Sequence, residues 1–422
     1  MNLRDLKRSG HWPTLLCSFL YFDVSFMVWT LPGALGVFIA QSFHLSPAQK
    51  GVLVAIPLLG GSILRIVMGV AADHYGARKA GIAGLILTAV PLAWAWLHCR
   101  AVGDLAAVGL MLGIAGASFA VALPLASRWY PREYQGLALG IAGAGNSGTV
   151  IAAFLAPRLA EHFGWRGVFG LAIIPVAVTL AVFCVFAREY PVRPAPKPFA
   201  SYLRILRELD LWRFNGFYMV TFGGFVGLAS FLPIYFFDQY GVTRVQAGGF
   251  AALCVFAGSL LRPLGGFLAD RVGGIRVLCL LYGAIAILVA GIAMLPPLEA
   301  AVPLLFLTMA CLGIGNGSVF QLVPQRFEEE IGVATGIVGA AGGLGGFFLP
   351  TVMGMLKGAT GSYASGLLMF ALASASAMLA MLRVRREWRR GWARSEVLLP
   401  RPLASVVVEQ PRRLGPMERG ER

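Results

Sequence analysis

The sequence predicts an all-α membrane protein in which twelve transmembrane helices form two related six-helix halves. An apolar composition, twelve long apolar runs and an internal repeat carry that prediction. Of the 422 residues, 58% are hydrophobic and only 13% charged, against about 25% charged in an ordinary soluble domain; the mean hydropathy is +0.74. The 53 glycines would weaken a soluble helical protein, but in lipid small residues let helix backbones approach closely.

A helix needs roughly 20 apolar residues to cross the hydrocarbon core. Runs of that kind fall at about 14–40, 49–72, 80–99, 104–127, 136–157, 167–187, 212–237, 245–269, 276–296, 301–323, 332–356 and 363–384. The first is too long for the apolar core of a cleavable signal peptide. The longest internal polar stretch, REYPVRPAPKPFASYLRILRELD, separates the sixth run from the seventh. Its prolines and charges suit a cytoplasmic linker ending in a short amphipathic helix. The chain therefore divides into a bundle over 1–190, a linker over 191–211, a second bundle over 212–386 and a basic, polar tail over 387–422 that reads as disordered.

Taken alone, the net charge of +15 would suit a nucleic-acid binder, but its distribution argues for a membrane. With the N-terminus cytoplasmic, 27 of the 35 Lys and Arg fall on the cytoplasmic side. The opposite loops hold six (Lys50, Arg100, Arg158, Arg166, Arg244 and Lys357), and Arg65 and Arg262 lie inside spans. This bias places both termini in the cytoplasm. The six cysteines are scattered along apolar segments without metal-ligand spacing and read as small buried hydrophobes. The five histidines lie near helix ends or in loops, and no catalytic triad or metal-binding pattern is legible. No enzyme activity, cofactor or metal is expected.

The repeat is visible in two places. GSILRIVMGVAADHYGARK (61–79) and GSLLRPLGGFLADRVGGIR (258–276) place Gly61, Ser62, Arg65, Gly69 and Asp73 197 residues before Gly258, Ser259, Arg262, Gly266 and Asp270. GLALGIAGAG (136–145) matches GVATGIVGAA (332–341) at an offset of 196. Parallel repeats of this kind build one large class of secondary transporters, with the substrate site between the halves at the midplane. A channel fits this pattern less well than a rocking carrier.

Arg65 and Arg262 each stand eight residues before an Asp that ends the helix, so each lies roughly 12 Å inside the boundary. A charge at that depth costs at least about 2.5–3.5 kcal/mol on insertion scales. Of the 20 acidic residues, only Asp23 is well inside a span, and one acid does not neutralise two arginines. The centre should therefore stay positive, and two guanidinium forks suit bidentate binding of a planar oxyanion. Asp23 has two readings: it carries a coupling proton, or it pairs with Arg65. Asn316, Ser318 and Gln321 either line the cavity or bond neighbouring helices.

Gly69–x3–Asp73–x2–Gly76–x–Arg78–Lys79 resembles the loop signature of the major facilitator superfamily, and Gly266, Asp270, Arg271, Gly273 and Arg276 form its second copy. Its carboxylate and basic residues can latch one conformation. Together with GLALGIAGAGNSG (136–148) and GIVGAAGGLGGFFLP (336–350), the arginine pair resembles the nitrate/nitrite porter family, over about Leu15 to Met381. The resemblance implies the major facilitator fold and an anion held by Arg65 and Arg262 between aromatics of the fourth and seventh helices. Those match Phe119, Tyr218 and Phe222. It further implies signature glycines at Gly140, Gly143, Gly145 and Gly148 and at Gly336, Gly339, Gly342, Gly343 and Gly345. The resemblance also implies a polar contact from the fifth helix at Asn146, although Ala142 stands where several members carry Asn.

The implied activity is alternating-access transport of nitrate, with nitrite as a second candidate substrate, by a monomer in a bacterial cytoplasmic membrane. Proton symport and nitrate/nitrite exchange both fit, and the single buried acid Asp23 tips the reading toward symport. The alternative is a major facilitator carrier of another small or organic anion; two buried arginines argue against cationic drugs as cargo.

Overall fold

The computed structural model describes residues 9–191, 204–327 and 331–390. Most of the expected linker, and the tail beyond Arg390, lie outside the described residues. The described chain is helical throughout: α1 (Trp12–Trp29), α2 (Leu31–Ala34), α3 (Gly36–Ser42), α4 (Pro47–Tyr75), α5 (Ala77–Leu97), α6 (Val102–Gly116), α7 (Phe119–Ser127), α8 (Arg132–Gly143), a 3₁₀ turn (Ala144–Ser147), α9 (Gly148–Phe186), α10 (Leu209–Tyr240), α11 (Arg244–Leu260), α12 (Arg262–Val272), α13 (Gly274–Ala293), α14 (Leu298–Arg326), α15 (Ile331–Thr360) and α16 (Ala364–Arg390).

Among the described residues, eleven continuous stretches are long and apolar enough to cross a membrane, and one of them, Ala138–Phe186, runs for 49 residues. That is too long for a single crossing of a core about 30 Å thick. Gly164 interrupts it at φ 67°, ψ 160°, turning the chain back. The stretch thus holds the fifth and sixth spans, and the expected twelve are present. Exposed side chains such as Ile287 and Leu280, 75% and 73% accessible, coat the outside, as lipid-facing positions require.

The repeat extends to the helix ends. Ser46 caps α4 in a capping box with Gln49, and Thr243, 197 residues on, caps α11 with Gln246. Each hydroxyl accepts from the third helical N–H while the glutamine side chain reaches back. At the other end of these spans Gly76 and Gly273 adopt φ 97° and 96°, a region open to glycine but strained for other residues. This explains the glycine after each Asp in the loop signature.

Several spans read as single runs are broken at mid-depth. The first breaks at Thr30 and Leu35 around Pro32 and Gly33, the fourth at Ala117–Ser118, the fifth at the 3₁₀ turn, and the eighth at Leu261, where Pro263 withholds a backbone donor.

At the end away from the termini, polar contacts and close packing join the halves. Lys50 donates to Asp238 at 2.7 Å, Arg244 to the Gln41 side chain at 3.2 Å, and a methyl on Gly248 would sit 2.6 Å from the Ala153 carbonyl. At the terminal end the described ion pairs stay within one half: Arg128–Asp73, and Arg326 with Glu208 and Asp210. There Gly140, Gly143, Gly266 and Gly336 face open space, with nothing within 4 Å of an added Cβ. The cleft is closed at one end and open at the other.

Candidate functional site

The helix breaks shape the centre. In a regular helix the Ala120 N–H would bond the Gly116 carbonyl; across the break it turns to Ala117 at 3.0 Å. The Gly116 carbonyl accepts instead from Arg65 Nη2 at 2.9 Å, and Arg65 Nη1 donates to the Gly339 carbonyl of α15 at 2.5 Å. Arg65 is 1% exposed. Its guanidinium lies 5.2 Å from the Phe119 ring centre and 5.4 Å from that of Phe222. Arg262, at the start of α12, reaches the same ring of Phe119 at 5.4 Å and Phe320 at 5.8 Å. Its Nη2 donates to the Tyr218 hydroxyl at 3.5 Å. Arg65 Nε and Arg262 Nη1 are buried without a partner, and neither guanidinium pairs with a carboxylate among the described residues.

Aromatic rings close the chamber. Tyr218 and Phe222, one turn apart on α10, stack at 5.1 Å with planes 6° apart, and Phe320 of α14 meets Tyr218 edge-on at 4.9 Å and Phe119 at 5.5 Å. Such geometry suits the ring quadrupole, and each ring face also favours a guanidinium.

The profile of the Major Facilitator Superfamily matches residues 17–350. Among curated relatives, the chain is 36% identical over 343 residues to a Bacillus subtilis nitrite extrusion protein, covering 81% of this chain and 86% of that one. It is 33% identical over 392 residues to a probable nitrate/nitrite antiporter of Thermus thermophilus, covering 85% and 88%. The chain belongs to the nitrate/nitrite porter family of the major facilitator superfamily. A solved bacterial homologue of the human lysosomal transporter Spinster shares the fold, with TM-score 0.68 at 19% identity, covering 92% of this chain and 98% of its own.

In this porter the five residues expected to surround an anion, Arg65, Arg262, Phe119, Tyr218 and Phe222, meet around one chamber. Asn146 sits nearby. Its carbonyl accepts from Ser259, one turn before Arg262, at 3.3 Å, while both atoms of its buried amide are unpartnered. Asp23 does not pair with Arg65; it accepts from Ser147 at 2.6 Å, because the 3₁₀ turn brings α9 and its flanks onto α1. That corrects the ion-pair reading. Ser318 and Gln321 bond neighbours, the Gly265 carbonyl and Asp270; Asn316 does not.

The signature glycines divide. Gly145 and Gly148 press on the α1 backbone at Asp23, Gly342 lies under the Tyr218 and Phe222 rings, Gly339 adjoins the Arg65 side chain, and Gly343 packs on Ser62. A Cβ added at Gly140, Gly143 or Gly336 would meet nothing within 4 Å. In the loop signature Asp73 pairs with Arg128 and Arg78 bonds the Ala187 carbonyl. Asp270 accepts from Gln321, Arg271 lies over Phe267 at 4.2 Å, and Gly69 meets only Ala120.

Sequence reasoning missed Phe320, which touches three of the five chamber residues. It also missed Phe22, whose ring lies 5.7 Å from that of Phe119. Phe22 stands 196 residues before Tyr218, so the repeat offset could have found it.

Proposed function

We propose that this porter moves nitrate and nitrite across a bacterial cytoplasmic membrane by alternating access, exchanging one anion for the other. The observation that supports this is the pair of buried guanidiniums sharing the Phe119 ring, each with a free N–H and neither with a carboxylate. A planar oxyanion matches two such forks in charge and shape, and the relatives named above carry or extrude these ions. The halves, 1–190 and 212–386, would rock about the anion. With both termini cytoplasmic, as the distribution of basic residues argues, the open end faces the cytoplasm and the closed end, with Lys50 and Asp238, faces outside.

Exchange follows from electrostatics. Bringing two uncompensated guanidiniums together in a low-dielectric chamber is costly, so an empty carrier closes poorly and each half-cycle needs an anion. Symport remains the second reading because Asp23 is an acid only 7% exposed within a span; its Ser147 bond links α1 to the fifth span and gives it a structural role as well. Each chain carries a complete chamber, which suits a monomer.

Purified protein in proteoliposomes decides between them. Nitrate uptake should need internal nitrite or nitrate, ignore an inward proton gradient and persist in Asp23→Asn. Gradient-driven uptake into anion-free vesicles that is lost in Asp23→Asn would establish symport. An absence of nitrate flux in every condition would leave an organic anion as cargo.

A further inference from the structure

Asn316 is 1% exposed, and both atoms of its amide lack any partner among the described residues. A buried amide with neither end satisfied is expensive to keep, and at a transport centre it points to a guest.

Its position follows from the packing of the two halves. Gly113 packs on the backbone at Gly60–Gly61, and Gly313 packs on the backbone of Gly258, the repeat equivalent of Gly61. In this register Gly116 and Asn316 are equivalent, each three residues further on. Gly116 is where the first half holds its arginine, its carbonyl accepting from Arg65. The second half presents an amide side chain at the matching place, and its arginine keeps an unpartnered Nη1.

The direction of the side chain is fixed by its neighbours. Gly315 packs on Thr221 of α10, and Gly317 packs on the backbone of Arg262. Phe320, one turn below and about 40° round the helix, contacts Tyr218, Phe119 and Arg262. Asn316 therefore lies on the face of α14 that looks between α10 and α12 into the chamber.

We propose that Asn316 is a specificity-determining residue whose amide N–H donates to the third oxygen of a trigonal oxyanion held by Arg65 and Arg262. This rests on the chamber being the nitrate site. Two arginine forks satisfy the two oxygens of nitrite; nitrate presents a third, and Asn316 is the donor placed for it. Asn316 thus sets the preference between the two ions.

The test is calorimetric titration of the full-length protein in lipid nanodiscs with potassium nitrate and, separately, potassium nitrite. Asn316→Leu should weaken nitrate by about tenfold or more, as for a lost hydrogen bond to a charged group, and nitrite by less than about threefold. The ligand-free melting temperature should hold or rise, since an unpaired amide has been replaced by an apolar side chain of similar size. Asn316→Ser, which keeps a donor and is tolerated in helices, should fall between and serves if the leucine variant does not fold. Equal weakening of both ions, or unchanged nitrate affinity, would overturn the proposal while leaving the chamber as the anion site. Parent protein that binds neither ion would instead overturn the functional reading itself, and this inference with it.

Discussion

Arg65 and Arg262 carry the same charge at equivalent positions yet are held differently. Arg65 lies between two backbone carbonyls, at Gly116 and Gly339, whereas Arg262 touches a phenol and two rings. Arg65→Lys keeps the charge but loses the fork, so two carbonyls and an anion would compete for one compact ammonium. We expect nitrate exchange in vesicles to fall by about a hundredfold or more, the equivalent of roughly 3 kcal/mol in lost charge-assisted bonds. Flux near that of the parent protein would remove bidentate binding from the mechanism. At this scale the sequence was informative about charge and poor about partners. Two deep arginines and one deep acid were legible from spacing alone; that Asp23 would choose Ser147 was not, because that contact needs the 3₁₀ turn after Gly143, a departure from regular helix that spacing does not encode.

The helices differ in how they use their small residues. Where α9 and its flanks meet α1, a methyl on Gly148 would overlap the Asp23 carbonyl, and backbone does not yield as a flexible side chain does. Gly148→Ala should therefore destabilise the protein by about 1–3 kcal/mol, the usual range for overpacking, read as a fall in melting temperature in detergent. Gly336 is only partly covered and has nothing within 4 Å of an added Cβ, so Gly336→Leu should melt like the parent protein. Its transport should nonetheless fall at least about tenfold, because the proposed rocking brings the open face into contact. A Gly336→Leu variant with full transport would show that this face stays apart throughout the cycle. The apolar runs gave span number and position, but mid-span breaks stayed hidden: apolar residues are equally suited to lipid on both sides of a break, so hydropathy passes smoothly through Ala117 and Leu261. Pro32 and Pro263 were the visible hints.

The whole molecule is held closed at one end by contacts between its halves. Among the described residues the Lys50–Asp238 pair is the ion pair that joins them, and the Tyr363 hydroxyl donates to the same carboxylate at 2.9 Å. Both charged side chains are largely shielded, at 20% and 15% exposure, so removing one should shift the balance of states. With Cys184, the exposed native cysteine, replaced, Ala40→Cys, buried at 4% exposure near Lys50 and Asp238, reports opening of this end. Asp238→Asn should then raise its rate of labelling by an impermeant maleimide about fivefold, equivalent to roughly 1 kcal/mol for a partly buried pair. An unchanged rate would mean that helix packing alone, including Gly51 against Pro350, keeps the end shut. The repeat made the two halves legible before any coordinates, but a sequence describes every state of a carrier at once, so nothing in it says which end stands open.

The carbonyls that grip Arg65 also bear on how long a guest stays. On the proposed cycle an entering anion meets one idle donor at this arginine, Nε, and displaces Gly339 and Gly116 from the other two nitrogens. When it leaves, the same two carbonyls return at once. Departure therefore costs few hydrogen bonds, and the barrier to dissociation stays low despite the burial. On this reading the residence time is short, which is what a carrier needs to turn over rather than to store.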